Sequence, residues 1–353
     1  MGGCDVDATV TWARVLAKRR DDVVFALSVK VPPRDKKKDV SLDEMRHTSP
    51  RVIMSSKSFG ALLAEAYARP SNVDWCESNY AYSPFIAEMW NTASSVPMTF
   101  VAIFGLWKAR ECVLMESRWA WAWAMLAVVG VGSALFHATL LHIFQAADEL
   151  PMLYCNLVFA YLMLEERAET RSKRFAEVFS ARPKHAKAAK ALRASRRAWL
   201  VPLLFFVGVS QTYLYFAFPS VYEVFMGSYV VVVLWLVQRS VRLAWFADDA
   251  TATQRRFVRA ALLFYGGGSV FWIFENVVCG VKGEEKGGWP MQWAHMHAVW
   301  HAGACLGTYH FIQFCSARRG EALGFDARAE KGDTFWALPY VAHKSARGGR
   351  KRE

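Results

Sequence analysis

The amino-acid sequence predicts an all-α membrane protein, a bundle of seven transmembrane helices. Three observations predict it. Seven apolar stretches have the length that a bilayer demands. Basic residues collect in alternate connecting segments. The few polar residues inside the stretches recur at one depth. Composition agrees, with 54% hydrophobic residues, 14% aromatics, 15 Trp and 24 Phe. Mean hydropathy is only +0.11, because 43 Lys/Arg and 31 Asp/Glu sit in blocks between the apolar runs. These figures exclude a disordered chain, a collagen-like fibre and a disulfide-rich mini-protein. A net charge of +12 invites a nucleic-acid partner. The position of the basic residues, between apolar runs, argues instead for solvated anchors at a membrane surface.

A spanning helix needs about 20 mostly apolar residues. The stretches that meet this are 86–107, 119–141, 147–165, 198–216, 221–239, 257–278 and 293–315. The second, fourth and fifth are the clearest, and the third, sixth and seventh carry polar residues. The tryptophans Trp119, Trp121 and Trp123 read as an interfacial belt. Segment 165–197 holds 11 Lys/Arg against 4 Glu, and segment 239–259 holds five Arg against Asp248 and Asp249. The tail after Cys315 holds nine Lys/Arg, and 108–118 adds Lys108, Arg110 and Arg118. Segments 142–146 and 217–220 have no positive charge. The positive-inside rule places the basic set in the cytoplasm, so the N-terminus is expected in the lumen and the C-terminus in the cytosol.

Residues 1–70 differ from the rest. They are polar and mixed in charge, with KRRDD at 18–22 and KVPPRDKKKD at 30–39, and they read as a disordered N-terminal extension. They show no signal-peptide pattern. A helical domain over 71–316 and a basic cytosolic tail over 317–353 follow.

Ionisable residues inside spans are costly and tend to be functional. Ser133 and His137, in GSALFH, are four apart and share one face of the second span. Asp148, with Glu149 beside it, opens the third. His297 and His301, in MHAVWH, share one face of the seventh. The expected topology brings all five to one level near the lumenal ends. Three neutral imidazoles with an open fourth position suit a catalytic zinc ion. Asp148 is then the natural base or orienting carboxylate, and Ser133 is placed to stabilise a developing oxyanion. His142, His295 and His310 read as bystanders. A bis-histidine haem protein stays open as an alternative, although it explains neither Ser133 nor Asp148. A channel lined by Glu275 and Asn276 is a further alternative, with a helix-packing pair the simpler account. Gly303 and Gly307 form a small-xxx-small stripe suited to close helix packing.

The motifs DWCESNY, SPFIAEMWNT, GSALFHATL, DELPM and HMHAVWHAGACLGTY, in that order over 74–316, resemble the alkaline ceramidases. These are seven-span zinc amidohydrolases of a superfamily that includes adiponectin-receptor-like proteins. The resemblance implies zinc on His137, His297 and His301, with Ser133 and Asp148 beside the zinc water. It implies Ca²⁺ on Asp74, Trp75 (through its carbonyl), Glu77, Asn79 and Glu88, and a disulfide between Cys76 and Cys279. Read without it, 74–88 is a capped helix entry. The resemblance further implies a ceramide-class lipid as substrate, in the endoplasmic reticulum or Golgi, with no nucleic-acid partner. A receptor of the same superfamily, with structural zinc, is the alternative within it.

Overall fold

The structure is a computed structural model. It describes residues 60, 67–111, 117–170, 199–218, 222–279, 295–322, 325–332 and 338–345, without the side chains at 111, 117, 166–170, 278, 279, 344 and 345. The extension before residue 60 and the connections 171–198 and 280–294 lie outside the described residues. The chain divides into the units Met1–Ser55 and Ser56–Glu353, and everything below belongs to the second.

Seven long helices follow one another: α1 Met89–Glu111, α2 Ser117–Thr139, α3 His142–Thr170, α4 Leu200–Ala217, α5 Tyr222–Trp245, α6 Ala252–Cys279 and α7 Met296–Ala322. Each coincides with one predicted span, and most continue beyond it. Four of them, α2, α4, α5 and α6, are long and apolar enough on composition alone to cross a membrane. The polar residues that depress α1, α3 and α7 are largely those that build the site. Large apolar side chains on α4, α5 and α6 face outward, among them Phe205, Val231, Leu263 and Val277. On a soluble protein a belt of this extent would be an adhesive patch. On a multi-pass membrane protein it is the surface that meets lipid.

The tightest pairings run through α1–α2, α2–α3 and α6–α7. Glycine permits all three, and on α1–α2 a Cβ on Gly130 would lie 2.8 Å from Thr99 N. A Cβ on Gly132 would lie 2.0 Å from the Ala147 carbonyl oxygen, so α2 meets the backbone of α3 one residue before Asp148. A Cβ on Gly303 would lie 2.7 Å from Phe264 O and 2.8 Å from Gly268 Cα. The small-residue stripe on α7 is therefore a close-packing face, as its spacing predicts. The turn between α2 and α3 is short. Leu140 adopts a left-handed φ of 52°, an uncommon state for a leucine. It is held by Ser71 N–H donating to Leu140 O and by an antiparallel bridge from Pro70 to Leu141.

At the opposite end, Trp119 and Trp123 correct the interfacial-belt reading. Both are buried, and only Trp121 is exposed. Positions four apart share a helix face, and Gly105 of α1 leaves room for the Trp123 ring. The segment expected only as a basic tail is also ordered in part. Strand β1, Phe325–Glu330, pairs antiparallel with β2, Tyr340–Ser345. The hairpin docks on α7, where Val341 N–H donates to Gln313 Oε1 and His343 Nε2 donates to Ser316 O. Buried Arg318 donates to both Asp249 oxygens and to Gln254 Oε1, tying the α5–α6 turn to α7.

Two outcomes follow. Gly132→Ala lowers the thermal unfolding midpoint in detergent, whereas Gly266→Ala, where the added methyl meets open space, raises stability by up to about 1 kcal/mol through helix propensity. Equal shifts would show that Gly132 is not a close-approach position. Burial holds the His343 imidazole below its ordinary value, so its neutral form is the docked form. Hairpin docking is complete above pH 6.5 and weakens as pH falls through and below it. Hydrogen exchange at Val341 should quicken accordingly.

Candidate metal centre

The spacing of each histidine pair dictates the geometry. His137 lies one turn after Ser133 on α2, and His297 and His301 lie one turn apart on α7. All three rings are buried, none more than 4% exposed. Ring centroids stand 4.5 Å apart for His297–His301, 4.9 Å for His137–His301 and 5.0 Å for His137–His297. One nitrogen from each falls within 4.8 Å of the others. Among the described residues this is the one such group of His, Cys, Asp and Glu ligand atoms.

Three imidazoles crowded together out of water suit a shared cation, provided that each offers a lone pair. Their second nitrogens fix this. His137 Nδ1 stands 2.6 Å from Glu88 Oε2. A carboxylate accepts, so the proton resides on Nδ1 and Nε2 keeps its lone pair. That Nε2 is buried and unpartnered. His301 Nδ1 meets Ser94 Oγ at 2.8 Å and Ser95 Oγ at 3.2 Å. Ser94 gives its own proton to the Asn91 carbonyl, and Ser95 has that carbonyl or Ser133 Oγ to receive its one proton, which leaves both oxygens to accept from the ring. His297 Nδ1 lies 3.6 Å from Glu275 Oε2, and its face stacks on Trp75 with centroids 3.7 Å apart. Ligand histidines with the far nitrogen engaged by a carboxylate or hydroxyl are the usual support of a metal. The residues present therefore fit a tetrahedral ion with a fourth, open position.

Ser133 and Asp148 come to the same place. Ser133 Oγ lies 3.0 Å from Ser95 Oγ and donates to the Asp148 carboxylate. Both residues, with His297 and His301, line a cavity of about 260 Å³ that continues between the helices along apolar side chains such as Met98, Leu126 and Phe159. The five residues that the sequence sets at one depth are thus brought together. His142, His295 and His310 are not. They pack against Tyr215, Trp90 and Phe264 respectively.

Segment 74–88 closes this end of the bundle. Asp74 accepts from Asn79 Nδ2. Glu77 accepts from Trp90 N–H at 2.7 Å and Asn91 N–H at 2.9 Å, neutralising two unpaired amides in the first turn of α1. Glu88 accepts from Trp75 N–H through Oε1, and from Asn91 Nδ2 through Oε2. The backbone amides of Ala87 and Glu88 donate to Ala138 O and His137 O, which sets Glu88 beside the His137 ring. Of the five residues that the resemblance assigns to Ca²⁺, Glu77 caps α1, Trp75 covers His297 and Glu88 supports His137. Cys76 is disulfide-bonded, while the side chain of its expected partner, Cys279, lies outside the described residues. Cys155, Cys305 and Cys315 are buried.

Sequence reasoning missed four supports. Glu275 reads as half of a packing pair, yet Oε1 accepts from Cys76 N–H while Oε2 faces His297. The Trp75 indole, expected to contribute only its carbonyl, covers His297. Ser94 and Ser95 carry no motif of their own. A carboxylate in an apolar span was the one available signal, and it did not say which histidine it served.

Known proteins are similar to this chain in sequence. Residues 68–342 match the sequence profile of the family described as Ceramidase. The chain is 30% identical to alkaline ceramidase 3 of Mus musculus over 248 residues, covering 69% of this chain and 82% of the relative. It is 27% identical to an alkaline ceramidase of Arabidopsis thaliana over 275 residues, covering 77% and 92%. With a match that spans most of its length and every helix of the bundle, the chain belongs to the ceramidase family.

Proposed function

We propose that this protein is a zinc-dependent amidohydrolase that cleaves the amide bond of ceramide or of a close relative such as dihydroceramide or phytoceramide. The products are a free fatty acid and a sphingoid base. The observation that carries the reading is the cluster of His137, His297 and His301, two of which line a largely apolar cavity inside the bundle together with Ser133 and Asp148. The apolar length of that cavity suits hydrocarbon chains, and its polar end suits an amide.

Zinc, when bound by the three imidazoles, supplies a Lewis acid that polarises a carbonyl and acidifies water. Asp148 takes the proton of the attacking water on its carboxylate and returns it to the departing nitrogen. Ser133 Oγ–H, hydrogen-bonded to the Asp148 carboxylate, turns its proton to the carbonyl oxygen as negative charge grows there. Glu88, Ser94, Ser95 and Glu275 hold the rings in orientation. Trp75, stacked on His297, helps to cover the site from water. The positive-inside reading places the site near the lumenal face of the endoplasmic reticulum or Golgi membrane, with the hairpin end in the cytosol. A Cys76–Cys279 disulfide would sit on the oxidising side. Ca²⁺ at 74–88 rests on the family resemblance alone and enters no step.

His297→Ala in detergent-solubilised protein loses zinc by metal analysis and loses turnover of labelled ceramide. A variant that kept hydrolysing would refute the assignment. Asp148→Asn keeps its zinc but loses about 10²–10⁴-fold in kcat, and a fully active Asp148→Asn enzyme would remove the aspartate as proton carrier.

A further inference from the structure

One buried carboxylate of the cavity has no part in the chemistry above. Glu149 follows Asp148 on α3, is 9% exposed and lines the same cavity. Three donors converge on it. Tyr215 Oη donates to Oε2 at 2.7 Å, Tyr222 Oη donates to Oε1 at 2.6 Å and Gln145 Nε2 donates to Oε1 at 3.1 Å. Gln145 is itself fixed, because its Oε1 accepts from Asn72 N–H at 2.7 Å.

A tyrosine hydroxyl has one proton. Tyr222 spends its proton on Glu149, so the oxygen can offer a ligand only lone pairs. Tyr222 and Phe225 line the main cavity and also a second one of about 100 Å³. Gln211 lines the second, and its buried Oε1 has no hydrogen-bond partner among the described residues. Next to the reacting end of the main cavity, this wall presents the lone pairs of Tyr222 Oη and of Gln211 Oε1. It asks for a ligand that brings hydroxyl protons.

We infer that Tyr222, oriented by Glu149, is the specificity-determining acceptor for a hydroxyl on a carbon adjacent to the amide-bearing carbon of the lipid. The inference rests on the amidohydrolase reading and deepens it. A ceramide carries one such hydroxyl on each side of the amide-bearing carbon. Tyr222 accepts from one of them and thereby orients the amide towards Ser133 and Asp148. A ligand with hydrogen in that place leaves the buried acceptor unpaired, and a ketone opposes it with a second acceptor. Both are penalised.

The test compares kcat/KM for ceramide, its 1-deoxy analogue and its 3-keto analogue, matched in chain length, in wild type and in Tyr222→Phe. The wild type should disfavour one analogue by about tenfold to hundredfold, the worth of a hydrogen bond of this kind. In Tyr222→Phe that ratio should collapse towards one, while the ratio for the other analogue stays. A purely structural role for Tyr222 would depress all three substrates alike, and that result overturns the inference. Wild-type indifference to both analogues also overturns it, and needs no variant to fold. Absence of turnover on every substrate by zinc-loaded wild type would instead sink the amidohydrolase reading.

Discussion

Three neutral imidazoles packed together away from water can share an ion only if none spends its lone pair elsewhere, and the rest of the structure serves that requirement. Each ring must be turned by its far nitrogen. The entry to α1 supplies a hydrogen-bond partner through Glu88 and the first turns of α1 through Ser94 and Ser95, while Glu275 of α6 sets a carboxylate oxygen 3.6 Å from His297 Nδ1. Unpartnered polar groups in so dry a place would cost several kcal/mol each. The network is therefore both support for a metal and a condition of folding.

Bringing the partners within reach is a matter of backbone distance. Side chains as short as Ser133 and Asp148 meet across a helix pair only when the helices nearly touch. Gly132 removes the one methyl that would keep α2 and α3 apart. Segment 67–88 works in the same direction by pairing its backbone with the end of α2 and the α2–α3 turn. The left-handed Leu140 is the local strain accepted for that fit.

The helices and the metal ligands were legible because both follow from periodicity. Apolar length fixes the spans, and an i, i+4 pair fixes a face, so His137, His297 and His301 stand out without neighbours. What the sequence hid depends on contacts between residues far apart in the chain. Glu275 lies 22 residues before His297, and nothing local shows that its carboxylate turns towards that ring. Trp119 and Trp123 have the composition of an interfacial belt, and only Gly105 on another helix makes them core. The hairpin escaped notice because its strands are short and charged, and because their apolar face becomes useful only on α7. The disulfide and calcium assignments came from resemblance, so pattern alone could not have fixed their geometry.

The contact between Gly268 and Gly303 has a consequence for traffic through the membrane. Backbone meets backbone there, with less room than a single methyl needs. An acyl chain is wider than that seam. Whatever enters the cavity from the bilayer must part other neighbours, and the α6–α7 seam stays shut as a hull plank does.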